Sequence, residues 1–336
     1  MNKSQKRQLV VLLSVLVVLC IVFGVFLFSQ YGKTAKSEEG PAYILQMDSI
    51  VKISYTNPTA TLSFYQDGGM WYWTDHSDFP LDNSCLRKIT DLLDALPAVR
   101  VIESPEAPKA YGFDDSYGSI TAVSEDGKSV TLTLGNLTGE NYYIKRSDSD
   151  TVYTVDKTIY KYLSRSIYSM ALLPEIPAFS AETMDSLTIE GAFDTTFTFD
   201  HTAAADGKIV TTIYRDGTDV TGEAVTKQLV SEMIGLNYVA CVAYDATEED
   251  LETSLIAGKG APTFAVTVNY TDEKGNAGVY HMDAGYIEGA SFAFCAVTGD
   301  TGIYTMRSDY LSGVIATASK GYDEANKLFE RKSEQS

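Results

Sequence analysis

The chain has 336 residues, of which 45% are apolar and 21% are charged. This composition excludes a disordered chain and predicts two domains of ordinary size. The formal net charge is -19 at pH 7, and so acidic a body repels nucleic-acid phosphates and anionic lipid headgroups. We therefore expect no nucleic-acid partner and no peripheral attachment to a membrane through basic residues.

The first element is an apolar run from Leu9 to Phe28, in which Ser14 is the one polar side chain. A helix of this length crosses the hydrocarbon core, and the run exceeds the apolar stretch of a cleaved signal peptide. Basic residues before it hold the N-terminus in the cytoplasm by the positive-inside rule. The sequence predicts a cytoplasmic segment at 1–8, a signal anchor in the cell membrane at 9–28, a polar stalk at 29–42 and an extracytoplasmic body.

Two similar modules follow the stalk. The stretch "DTVYTVDKTIYKYL" at 150–163 resembles "TGIYTMRSDYLSGV" at 301–314, and "MDSIVKI" at 47–53 aligns with "MDSLTIE" at 184–190. Each module also contains a stripe of apolar residues at helical spacing, which predicts a helix with one buried face. The two stripes are Cys85, Ile89, Leu93 and Leu96 in the first module and Val225, Leu229, Met233 and Leu236 in the second.

Hairpins fill the rest of each module. Alternating apolar residues flank Asp67-Gly68 and Asp126-Gly127 in the first module and Lys274-Gly275 in the second. Such pairs favour tight turns between antiparallel strands. We predict an α+β fold in which one N-terminal transmembrane helix precedes two tandem, mutually similar modules of mostly antiparallel sheet backed by helices.

The prolines of "LLPEIPAFS" mark the boundary between the modules. We place the first module at 43–175 and the second at 176–320. The remaining segment, 321–336, is expected to be a frayed helix and C-terminal tail.

Trp71 and Trp73 share one face of a strand, and two interpretations are open for them. They form an aromatic surface that contacts a peptide or glycan, or they fill the core between sheet and helix. An exposed pair would favour a binding module.

No pattern of catalytic or metal-binding residues occurs in the sequence. His76, His201 and His281 are isolated from one another; His76 beside Asp75 and Asp78 is typical of a polar turn, with a loosely held cation as the alternative. No Walker-type phosphate loop or Gly-x-Ser-x-Gly elbow is present. We expect no enzyme activity, no cofactor and no metal.

Cys241 and Cys295 lie on predicted strands of one module. In an oxidising compartment they could form a disulfide, whereas two buried, reduced thiols are the alternative.

Five short motifs mark the first module: "WYW" at 71–73, "YGFD" at 111–114, "TLTLGN" at 131–136, "NYYI" at 141–144 and "VYTV" at 152–155. With these, residues 43–170 resemble the family catalogued as domain of unknown function 4340. The second module resembles a degenerate copy without "YGFD". The resemblance implies a membrane-anchored extracytoplasmic protein, with some members encoded beside transport-type ATPase and permease components, and it supplies no catalytic residues.

Together these features predict a non-catalytic accessory or scaffold protein that is associated with an ABC-type transport complex through permease or ATPase subunits. A module that binds a cell-envelope polymer or a small ligand is the alternative.

Overall fold

The computed structural model describes residues 42–205, 207–258 and 262–334. The anchor predicted at 9–28 lies outside these residues. Within the described ranges, no helix has both the length and the apolar character that a membrane span requires.

The first module is built on an eight-stranded, fully antiparallel sheet. Its strands are β2 (Ile50–Thr56), β3 (Thr61–Asp67), β4 (Met70–Trp73), β6 (Arg100–Ile102), β7 (Gly118–Ser124), β8 (Ser129–Thr138), β9 (Asn141–Arg146) and β10 (Val152–Asp156). They are ordered β4-β3-β2-β7-β8-β9-β10-β6. Two further short strands, β1 (Tyr43–Leu45) and β5 (Leu96–Pro97), pair with each other.

Helix α1 (Asn83–Asp94) covers one face of this sheet. Asp82 caps it by accepting a hydrogen bond from the Ser84 amide, which satisfies one of the free amides of the first turn. The predicted stripe faces the core: Ile89 and Leu93 are buried against the apolar side chains of the sheet. A second, shorter helix, α2 (Thr158–Leu163), follows β10.

The second module contains a nine-stranded antiparallel sheet. Its strands are β11 (Met184–Glu190), β12 (Thr195–Ala203), β13 (Ile209–Arg215), β14 (Thr218–Asp219), β15 (Ala240–Ala243), β16 (Phe264–Thr271), β17 (Ala277–Gly285), β18 (Phe292–Val297) and β19 (Ile303–Arg307), and its helices are α3 (Ala224–Ile234), α4 (Glu248–Thr253), α5 (Ser312–Lys320) and α6 (Tyr322–Ser333). The strand order is β14-β13-β12-β11-β16-β17-β18-β19-β15. The predicted class, mostly antiparallel sheets with helices, is confirmed.

Without β14, the second strand order repeats the first, strand for strand. The residues just before the edge strands β6 and β15 make equivalent hydrogen bonds. The Val99 amide donates to the Thr154 carbonyl, and the Val239 amide donates to the Thr305 carbonyl, both at 2.8 Å. The helices α1 and α3 occupy matching places in the chain order, each before its edge strand.

The predicted alignment of the opening strands is wrong by three residues. Ile53 pairs with Phe64, and Leu187 pairs with Phe197 in the same place of the second sheet. Hence Ile53 corresponds to Leu187, rather than to Glu190. Each strand also has a bulge at its start, at Ile50/Lys52 and at Met184/Ser186, and these bulges coincide when the strands are aligned by their partners. The shared "MDS" letters therefore do not mark equivalent positions.

The expected C-terminal tail is instead part of the second module. Helix α6 packs against α3, and Tyr322 and Ala325 are buried in the core. The Thr226 and Tyr322 hydroxyls lie 2.9 Å apart, and Asn326 accepts a hydrogen bond from the Val225 amide. Many charged residues at 323–334 made the sequence resemble an exposed tail, although one side of this helix is buried.

Candidate functional site

The two tryptophans do not form an exposed pair. Trp71 is 2% exposed and lies in the core of the first module, where its amide donates to Asn83 at the start of α1. Trp73 is half-buried, and its ring packs against His76 at 4.9 Å and Phe79 at 5.4 Å between centroids. Of the two interpretations of Trp71 and Trp73, the aromatic surface is thus wrong for Trp71, which is a core residue, and Trp73 is half-buried, because this strand face lies toward α1.

The three histidines lie apart from one another. His76 packs between Trp73 and Tyr244, and His201 lies within hydrogen-bonding distance of the Thr211 hydroxyl. His281 lies 2.8 Å from the Thr267 hydroxyl, and 31% of its side chain is exposed. Across the part of the chain that the structure describes, no cluster of three His, Cys, Asp or Glu side chains could hold a metal ion.

Cys241 and Cys295 are free and buried. Both are paired with Tyr304, from opposite sides, so a whole strand separates them. Neighbouring strands lie about 4.8 Å apart, which puts the two Cα atoms about 10 Å apart, beyond the reach of a disulfide. Burial raises the pKa of Cys241 to about 11 and that of Cys295 to about 12, so both remain protonated thiols at neutral pH.

The motifs "YGFD" at 111–114 and "TLTLGN" at 131–136 contact each other where the chain at Tyr111 passes over β8. A Cβ atom on Gly135 would lie 2.1 Å from the Tyr111 carbonyl oxygen, so only glycine permits the crossing. Gly112 has a φ of 76° and lies against the Asn136 side chain. Phe113 packs beside them under the Lys145 ammonium, 4.8 Å from its ring centre. "YGFD" and "TLTLGN" therefore form one structural unit.

The second module has a counterpart of this crossing that its sequence does not reveal. A Cβ atom on Gly285 would lie 1.7 Å from the Ser254 carbonyl oxygen, in the turn that follows α4. Leu255 has a φ of 58°, as Gly112 has a positive φ in the first module. A different segment thus occupies the place of "YGFD", and the close approach to glycine is kept.

A joint around Tyr244 links the two modules. The Tyr244 hydroxyl donates to Asp78 at 3.0 Å, and its ring packs edge-on against Phe79 with centroids 5.1 Å apart. Burial, and then the hydrogen bond to Asp78, raises the pKa of Tyr244. Ala171 packs against both cores. These contacts connect the two cores through aromatic and polar groups of both modules.

Glu232 is a buried acid that sequence reasoning missed. This residue of α3 is 5% exposed, and its carboxylate accepts hydrogen bonds from the Gly313 amide at 2.7 Å and the Val314 amide at 3.0 Å. The Ser312 hydroxyl and the Gln228 amide complete its shell. Burial raises its pKa, although these hydrogen bonds lower it. Both carboxylate oxygens accept hydrogen bonds from amides in the first turn of α5, so Glu232 connects α3 to the start of α5.

One edge of the first sheet exposes apolar side chains. Strand β6 pairs with β10 on one side, and the described residues place no strand on its other side. Val99 is 59% exposed and Val101 is 37% exposed. The equivalent strand β15 exposes Val239 and Val242. An apolar edge strand of this kind can accept a strand from another protein.

The face of the first sheet that lies opposite α1 bears a shallow groove of about 520 Å³. Lys52, Ser54, Ser63, Tyr65 and Thr121 are among its lining residues. This face is distinct from the β6 edge and from the tryptophan positions. No sequence signal singled it out, because alternating Ser and Thr are ordinary on the outer face of a strand.

A family model described as "Domain of unknown function (DUF4340)" matches residues 71–257. The match begins in β4 and ends after α4, so it covers more than half of the chain and parts of both modules, whereas the resemblance in the sequence was placed at 43–170. No curated protein and no solved structure matches the chain.

Proposed function

The chain belongs to the DUF4340 family, and on that premise we propose that it is a membrane-anchored, extracytoplasmic and non-catalytic accessory protein that docks on an ABC-type transport complex. The family description assigns no function. The proposal is therefore argued from this chain's own sequence and surface.

The anchor is supported by the sequence of the apolar run at 9–28, which basic residues precede. An anchor of this kind would keep the body beside integral membrane proteins, which raises its effective concentration for a membrane partner. It would also offset the repulsion between the acidic body and anionic lipid headgroups.

The observation that carries the proposal is the apolar edge at β6. An edge strand with exposed valines is a liability for a monomer, because it invites pairing with other chains. Val99, just before β6, and Val101 are exposed at this edge on either side of Arg100, the one charged residue of the strand. We assign this edge to docking of an extracytoplasmic strand of a permease subunit.

The joint at Tyr244 supports a scaffold of two modules. Since the first module contacts the second through Phe79 and Asp78, a partner bound at β6 would be held at a defined place relative to the second sheet. Two linked modules offer a partner more surface than one domain of this size.

Chemical crosslinking in native membranes, followed by mass spectrometry of the captured proteins, tests this function. We expect permease or ATPase subunits to be recovered with the full-length chain. A double variant, Val99→Asp with Val101→Asp, should lose them, because two charges at the edge block strand pairing. The matched control is Val279→Asp, since Val279 is 67% exposed on the interior strand β17. Recovery of wall glycan without any transport subunit would contradict the proposal.

A further inference from the structure

We propose that the open face of the first sheet is a binding site for a carboxylate-bearing glycan chain, with a sugar ring packed on Tyr65 and a sugar carboxylate beside Lys52. The site concerns a different face from the β6 edge. It does not rest on the docking of a transport complex, so either proposal can fail alone.

The middle of this face carries a cation, whereas the chain as a whole is strongly acidic. The net charge of the protein is -19, yet within the paired region of β3, β2, β7 and β8 no outward position is Asp or Glu; the nearest acid on this face is Asp67, at the end of β3. Lys52 is exposed in the middle of this face, and Tyr65 and Val123 are its partners on either side. An anionic ligand would therefore meet a cation here, whereas acidic residues repel it elsewhere on the body.

Paired hydroxyl groups cross the face in rows. The Ser54 and Ser63 hydroxyls lie 2.9 Å apart, and the Thr121 and Thr131 hydroxyls lie 2.8 Å apart. One hydroxyl of each pair donates to the other, so each pair keeps one O–H donor and several lone pairs for a ligand. Rows of fixed donors and acceptors suit the hydroxyl groups of a polysaccharide, which also act as both donors and acceptors.

The aromatic part of the site is already positioned. The rings of Tyr65 and Tyr72 are stacked, with centroids 5.5 Å apart and an angle of 23° between their planes. Tyr65 is half-buried and lines the groove together with Lys52, Gln66 and Thr74. An apolar ring face with a few fixed polar groups around it is the usual composition of a small-molecule site. The C–H face of a pyranose ring fits this arrangement.

The second sheet shows what the same fold looks like without the site. Register places Thr198 where the first sheet has Tyr65, and Ser186 where it has Lys52. Tyr214 alone is kept, at the position of Tyr72. In addition, Glu190 and Asp283 bring carboxylates to this face, at the positions of Thr56 and Thr133. The fold thus does not require Tyr65, Lys52 or the uncharged residues Thr56 and Thr133 at these positions, and we infer that they serve a ligand.

Calorimetric titration of the full-length chain in detergent micelles tests the proposal with two probes that have the same sugar backbone. One is a tetrasaccharide of alternating N-acetylglucosamine and N-acetylmuramic acid, which carries carboxylates, and the other is the neutral tetramer of N-acetylglucosamine. We expect the first to bind. Tyr65→Ala should weaken binding about tenfold through loss of the ring contact. Lys52→Gln should weaken it about threefold and remove the preference over the neutral tetramer of N-acetylglucosamine.

Tyr214→Ala is the matched control, since it removes a half-buried tyrosine from the equivalent face of the second sheet and should leave binding unchanged. Lys52→Gln guards against misfolding, because Lys52 is exposed and its replacement disturbs no packing. Absence of binding by the wild-type chain, equal affinity for both probes, or full binding by Tyr65→Ala and Lys52→Gln would overturn the proposal. So would equal weakening by Tyr214→Ala and Tyr65→Ala.

Discussion

Replacement of Glu232 tests how the helices of the second module are held. Glu232→Ala would leave the Gly313 and Val314 amides, both buried donors, without an acceptor. Each unsatisfied donor costs about 1–3 kcal/mol, so we expect the free energy of unfolding to fall by about 2–6 kcal/mol. Glu232→Gln keeps the volume and one acceptor oxygen, and it should cost about 1–2 kcal/mol.

The pH dependence of this effect has a defined sign. Burial raises the pKa of folded Glu232 above its ordinary value of 4.5, so the part of its contribution to stability that is linked to protonation is fully present below that value. The contribution is lost as the pH rises through the raised pKa. Urea unfolding of wild type and Glu232→Gln, followed by circular dichroism from pH 4 upward, should therefore show the stability of wild type falling relative to that of the variant.

Hydrogen exchange of residues 312–314 provides the local measurement. We expect the amides of Gly313 and Val314 to exchange faster in Glu232→Ala than in wild type, while the first module is unchanged. The reasoning would be refuted if Glu232→Ala unfolded within about 0.5 kcal/mol of wild type, which is the scatter of neutral surface substitutions. It would also be refuted if wild type and Glu232→Gln had the same pH dependence.

Three further predictions concern the backbone, the thiols and the anchor. Gly285→Ala should lower the free energy of unfolding in urea by about 3 kcal/mol or more, because its Cβ atom would clash with the Ser254 carbonyl. The control Gly289→Ala lies in open space at positive φ and should cost only about 1–2 kcal/mol. Similar losses in the two variants would contradict the close approach at Gly285. Mass spectrometry without reductant should find Cys241 and Cys295 as free thiols. A peptide pair joined through these two cysteines, with a mass lower by two hydrogen atoms, would refute the register. Protease added to intact protoplasts should digest the body and spare the N-terminus, and a protected body would overturn the membrane topology.

The sequence predicts the helices and hairpins well because their signals are local. The two stripes, with Ile89 in the first module and Leu229 in the second, need only helical spacing to show that these residues face a core. The turn at Gly127, with a φ of 86°, follows from the Asp-Gly pair itself. The family could also be identified from short motifs, and this prediction is confirmed.

Features that depend on distant partners could not be predicted from the sequence. The strand alignment failed because register is set by neighbours such as Phe64 and Phe197, rather than by the letters at the start of the strand. Both a core position and a surface position stayed open for Trp71, because alternation shows two faces without showing which one a helix covers. Glu232 carries no local signal, since its partners at Gly313 and Val314 lie about 80 residues away in the chain.

Site-specific photo-crosslinking from the β6 edge tests the docking function most directly. A benzophenone side chain would replace Val101 in one variant and Val279 in another, and both full-length chains would be irradiated in native membranes. We predict that the side chain at position 101 captures a permease subunit and that the one at position 279, although more exposed, does not. Capture of the same subunit from both positions, or no capture from position 101, would contradict docking at this edge.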